Sequence, residues 1–144
     1  RLLDMGALAF LLAPTINLII AERLVRKICQ SCIVSNEVST EVKELMDAQA
    51  NLVHAGHPIQ VPTLLFRGKG CKVCANLGYT GQIGIFEILR VSDAIRALIT
   101  KMVPVSEVRK QAVAEGMVTM FENGLRKVHM GITTIDEVIR VVRE

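Results

Sequence analysis

Four cysteines are the residues best equipped for chemistry in this 144-residue chain, and they fall into two CxxC pairs, Cys29 with Cys32 and Cys71 with Cys74. The chain contains no others. Two thiolates separated by two residues approach one ion from a single turn, and two such turns complete a tetrahedral sulfur shell. A shell closed by four cysteines leaves no position for water, so the expected site is structural rather than catalytic. Zinc is the expected ion; iron with the same four ligands is left open by spacing alone. Two disulfides, a redox CxxC or four inert thiols are the alternatives. The chain shows no secretory signal and no thioredoxin-like βαβ pattern around either pair, which weighs against the first two. Gly68, Gly70 and Gly78 flank the second pair, where backbone amides can bend toward the sulfurs, and Lys72 brings positive charge to a site of formal negative charge.

No other constellation competes. His54, His57 and His129 fit helix ends or surface positions better than ligand positions, because the helix C-terminus favours a cation. GKG at 68–70 is too short for a phosphate-binding loop, and neither HExxH nor GxSxG occurs. The net charge of +3 is small and its densest basic group is Arg23, Arg26 and Lys27. With one Tyr, four Phe and no Trp the chain lacks stacking platforms, so no nucleic-acid partner is expected.

The elements that must position the cysteines read as follows. Residues 6–21 are strongly apolar, yet Pro14, Thr15 and Asn17 interrupt a run shorter than the ~20 residues a membrane span needs. A buried helix pair is expected, the second helix starting at Pro14 and covering residues 15–22, followed by a short strand over 23–28 that leads into Cys29. Ser39 caps an expected amphipathic helix ending at Gly56. Residues 63–66 and 82–89 read as strands, with GYTG at 78–81 as a loop between. After Ser92 the pattern turns helical: one helix from Ser92 to a stop at Pro104, one from about Ser106 to Gly116, one over 119–130 ending at Gly131, and a last one opened by a Thr134 and Glu137 capping box. The chain opens with Arg1 inside an apolar pattern, as a piece of something longer would.

Taken in order, RLLDMG with FLL, IIAERLVRKICQSC, GCKVCANLGYTGQIGIFEIL and GMVTMFENGLRKVHMGITTIDEVIRVV resemble the C-terminal part of the type II secretion and type IV pilus assembly ATPases, over essentially the full length. The resemblance implies an α+β fold in three parts: the C-terminal edge of a RecA-like ATPase domain over 1–28, a tetracysteine zinc-binding subdomain with short strands over 29–91, and a small helical subdomain over 92–144. It also implies a parent that binds ATP and magnesium through Walker motifs absent from this chain, so the chain alone is expected to be inactive. The implied parent is a homo-hexamer at the cytoplasmic face of the inner membrane, acting on a polytopic platform protein. This part would transmit force rather than hydrolyse ATP. Arg23 and Arg26 are candidates for a subunit border, with ordinary surface charge as the other reading; Glu22 stands where such proteins often carry Gln. A free-standing zinc-ribbon adaptor binding protein or nucleic acid is the alternative function.

Overall fold

A computed structural model of the chain describes residues 5–38, 40, 43, 44 and 64–142. Its backbone is α+β, built on one long antiparallel ribbon. Helix α1 (Ala9–Thr15) leads into strand β1 (Leu18–Ile28), and β4 (Tyr79–Arg90) returns alongside it from Leu18↔Arg90 to Ile28↔Tyr79. Between the two arms lies a lobe. Single turns of 3-10 helix at Gln30–Cys32 and Lys72–Cys74 alternate in it with β2 (Ile33–Glu37) and β3 (Leu64–Gly68), which pair antiparallel.

The helix expected over 15–22 is a strand. Pro14 sits inside the last turn of α1 rather than at the start of a second helix, and the chain is extended from Ile16. The apolar cluster at 18–20 misled because both faces of this strand are apolar. Val25 is fully buried, while Leu18, Ile20 and Leu24, at alternate positions, are 50, 57 and 51% exposed. Ile88, the register partner of Ile20, is 49% exposed. β4 likewise begins at Tyr79, so the expected loop at 78–81 is mostly strand, turned by Gly81 at φ +71°. The helix expected from Ser39 to Gly56 lies largely outside the described residues, as do His54 and His57; Thr40, Lys43 and Glu44 are helical.

Four helices follow: α2 (Asp93–Thr100), α3 (Val105–Ala114), α4 (Met120–His129) and α5 (Ile135–Val142). Ser92 caps α2 through its side chain, which accepts from the Ile95 amide at 3.2 Å. A full capping box opens α4, where Thr119 and Glu122 serve each other's backbone amides. The box expected at α5 is only half made. The Glu137 amide reaches Thr134 Oγ1 at 3.4 Å, but the Glu137 carboxylate is turned elsewhere.

Helices α4 and α5 pack Phe121, Leu125, Val128, Ile135 and Val138 on Val25 and Ile85 of the ribbon, forming the main core. Each such side chain contributes roughly 1.5–3 kcal/mol on burial. Gly124 lets α5 come close, since a Cβ there would sit 2.5 Å from Val138 Cγ1. A smaller core of Val91, Ile95 and Ala112 joins α2 and α3 at the far end of the ribbon. There the Arg96 guanidinium donates to the Ala13 carbonyl oxygen at 2.5 Å and to Asn17 Oδ1 at 2.9 Å, tying α1 to α2. No helix among the described residues is long and apolar enough to cross a membrane.

Candidate metal centre

Cys29 closes β1 and Cys32 ends the short turn after it; Cys71 and Cys74 bracket the matching turn after β3. Because Ile28 is paired with Tyr79, the base of the lobe brings the two turns face to face. The Cys29 amide donates to the Gly78 carbonyl oxygen at 2.9 Å, and the Lys69 amide to that of Cys32 at 3.0 Å. Close approach needs glycines on both sides. Gly78 has φ +77°, and a Cβ on it would lie 2.7 Å from the Gly68 carbonyl oxygen.

The structure therefore unites all four cysteines that the sequence singled out. Their sulfurs lie within 4.8 Å of one another, with Cys29 to Cys71 at 3.9 Å, Cys32 to Cys74 at 3.9 Å and Cys71 to Cys74 at 3.7 Å. A disulfide would need about 2.05 Å, so the spacing is that of free thiols. A tetrahedron of thiolates about 2.3 Å from a central zinc has edges of about 3.8 Å. The donor set and its separations thus fit such an ion. Backbone amides support the sulfurs, as the glycines suggested: those of Cys71 and Gly78 each donate to Cys74 Sγ at 3.2 Å.

The sulfurs titrate unequally. The Thr80 hydroxyl is the largest influence on Cys29, and with the amide of Ser31 it draws this thiol down to about 6 against the effect of burial. Burial pushes Cys32 up to about 12, although the Gly70 amide opposes it. At Cys74 burial also raises the pKa, but the Cys71 and Gly78 amides outweigh it and leave it below the ordinary thiol range. Four thiolates here need a cation at neutral pH.

Arg23 and Arg26 part company. Arg23 donates from Nη1 to the Glu22 carbonyl oxygen at 3.0 Å on the exposed ribbon. Arg26 is committed within the chain: its Nη2 reaches Glu137 Oε1 at 2.7 Å, its amide reaches Glu137 Oε2 at 2.9 Å, and its guanidinium lies 4.3 Å from the Tyr79 ring centroid. Arg140 completes the cluster with Nη2 at 2.8 Å from Glu137 Oε2. Sequence reasoning missed Glu137 as a bridging group, because its partner lies 111 positions away. His129 ends α4, away from the four sulfurs in sequence and outside their cluster.

The family model described as "Type II/IV secretion system protein" matches residues 1–140. The chain belongs to that family. Among secretion-family relatives, the type IV pilus assembly ATPase PilB of Pseudomonas aeruginosa is 38% identical over 146 residues, covering 100% of this chain and 24% of that protein. The type II secretion system ATPase E of Vibrio cholerae is 35% identical over 148 residues, covering 100% of this chain and 27% of that protein. A PilB of Myxococcus xanthus is 34% identical over 141 residues, covering 96% of this chain and 24% of that protein. The chain thus spans about a quarter of the length of the curated relatives it matches.

Proposed function

We propose that Cys29, Cys32, Cys71 and Cys74 hold one structural zinc ion, and that the chain is the metal-braced, force-transmitting C-terminal module of a traffic ATPase. The observation that carries the metal reading is the gathering of four sulfurs within 4.8 Å, with three separations of 3.7–3.9 Å that match the edge of a zinc–thiolate tetrahedron. Membership of the secretion family and the names of the relatives support the ATPase parent. In this proposal the parent is a homo-hexamer on the cytoplasmic face of the inner membrane, powering type II secretion or type IV pilus assembly through a platform protein. ATP and magnesium belong to parts of that parent outside this chain. Residues 1–28 are the edge of its RecA-like domain, 29–91 the metal-binding subdomain and 92–144 the helical subdomain; Arg23 and the outer side of Arg26 face a neighbouring subunit.

The physical logic is stiffness. The two short strands and two single turns that hold the cysteines bury too little apolar surface among the described residues to fix their own shape, and a metal supplies what the core lacks. Movement of the ATPase domain is then passed on rather than absorbed. Elemental analysis of the chain purified without added metal should give one zinc per chain, and Cys32→Ser with Cys74→Ser should give none. An equivalent of iron would replace zinc in the proposal, and absence of any stoichiometric metal would remove the metal centre from it.

A further inference from the structure

The strands that carry the cysteines are gripped from outside the lobe by one short segment, the turn from Gly131 to Thr134 and the first turn of α5. The Ile28 amide donates to the Ile132 carbonyl oxygen at 2.8 Å, so the peptide preceding Cys29 is held by this segment while the next amide is held by Gly78. Thr133 Oγ1 donates to the Arg26 carbonyl oxygen at 2.8 Å. Glu137 receives both the amide and the guanidinium of Arg26. The ribbon's register breaks between Arg26 and Ile28, so this is where β1 depends least on β4 and most on the segment.

The grip extends to the other arm. Tyr79, the residue after Gly78, shares a hydrogen bond of 2.9 Å between its hydroxyl and Thr134 Oγ1, and its ring lies under the Arg26 guanidinium. It reaches the third strand as well: a Cβ on Gly131 would lie 3.2 Å from the Phe66 ring, so β3 rests against the same turn. Segment 131–137 thus touches the strand entering the first cysteine pair, the strand entering the second, and the strand leaving it. Thr133, Thr134 and Glu137 are all buried, and Glu137 keeps a full charge there only because Arg26 and Arg140 meet it.

We propose that this segment is a clasp that sets how tightly the four-cysteine centre holds its metal, with Glu137 as the positioning residue that closes it. The inference rests on the metal reading above. Glu137 touches no sulfur; it fixes Arg26, and through β1 the peptide that aims Cys29. Opening the clasp lets Cys29 and the Tyr79 arm drift apart, and a shell that needs four simultaneous ligands releases its ion faster.

The test is the rate of zinc transfer from the 144-residue chain to a chromophoric chelator in excess. Glu137→Gln keeps the shape but not the charge, and Thr133→Val removes only the bond to the Arg26 carbonyl. Val138→Ala loosens the same helix from the core at a side chain that makes none of the clasp's hydrogen bonds, and so reports what lowered stability does by itself. Release roughly 10-fold faster in Glu137→Gln, with a smaller rise in Thr133→Val, is expected at denaturant midpoints no lower than that of Val138→Ala. Equal acceleration in Val138→Ala, or release unchanged in both clasp variants, overturns the clasp while leaving the metal centre standing. Unmodified chain that carries no stoichiometric metal overturns both.

Discussion

Glu137 shows what one side chain contributes when its surroundings are charged and dry. It is 2% exposed. Burial alone would raise its pKa, but hydrogen bonds from Arg140 and from the side chain and amide of Arg26 more than reverse this and hold it at about 2. A carboxyl depressed in the folded state stabilises it at every pH above its unfolded value, and that contribution disappears as pH falls through the folded one. At neutral pH the contribution is on the order of 3 kcal/mol. Denaturant titrations of the natural chain and Glu137→Gln should differ by about this amount at pH 7, with the gap narrowing from about pH 4 toward 2. A gap independent of pH would mean that the charge is not what Glu137 provides. The sequence displayed Thr134 and Glu137 as a capping box, a local rule that both residues satisfy in type and spacing. A partner 111 positions away drew the carboxylate off, and no local rule can see that far. The cysteines were legible for the opposite reason: ligand spacing within each pair is local, and only the meeting of the pairs is not.

At the scale of elements, α4 and α5 owe their close crossing to Gly124. Gly124→Ala would place its methyl 2.5 Å from Val138 Cγ1, and overpacking of this kind costs typically 1–3 kcal/mol. Adding Val138→Ala should recover part of the loss, a coupling that thermal denaturation of the two single variants and the double variant would read. Strictly additive losses would show that the helices shift apart instead. Most helix boundaries after Ser92 were readable to within about two residues, because Ser92, Gly116 and Gly131 are caps whose effect is confined to a turn, but α2 ends at Thr100 rather than running to Pro104. Strand β1 was not. Alternation identifies a strand only when one face is polar, and Leu18, Ile19 and Ile20 erase that contrast over its first turn of sequence. Their half-exposed side chains are the reason a reader of the sequence assigns them to a buried helix.

For the molecule as a whole, the lobe meets the main core through Leu65 of β3, but the buried residues of that core and the cysteines are distinct sets. Val25, Ile85, Phe121, Leu125, Val128, Ile135 and Val138 include no cysteine, and the ladder from Leu18 to Ile28 needs no metal to form. Chelation should therefore strip amide protection from β2 and β3 and leave the β1–β4 ladder and α4 protected, as hydrogen exchange resolved by segment would show. Uniform loss across the chain would make lobe and ribbon one folding unit, and no loss at all would leave the lobe standing without an ion. The pairing of Ile28 with Tyr79 has one more consequence. Fifty residues, 29 through 78, leave the ribbon and return to it at adjacent points, so geometrically the lobe is a graft on a hairpin. Away from Leu65 and Phe66, which touch the main core and the turn at Gly131, what lies beyond that pair can be lengthened, trimmed or exchanged without altering the rail that carries it.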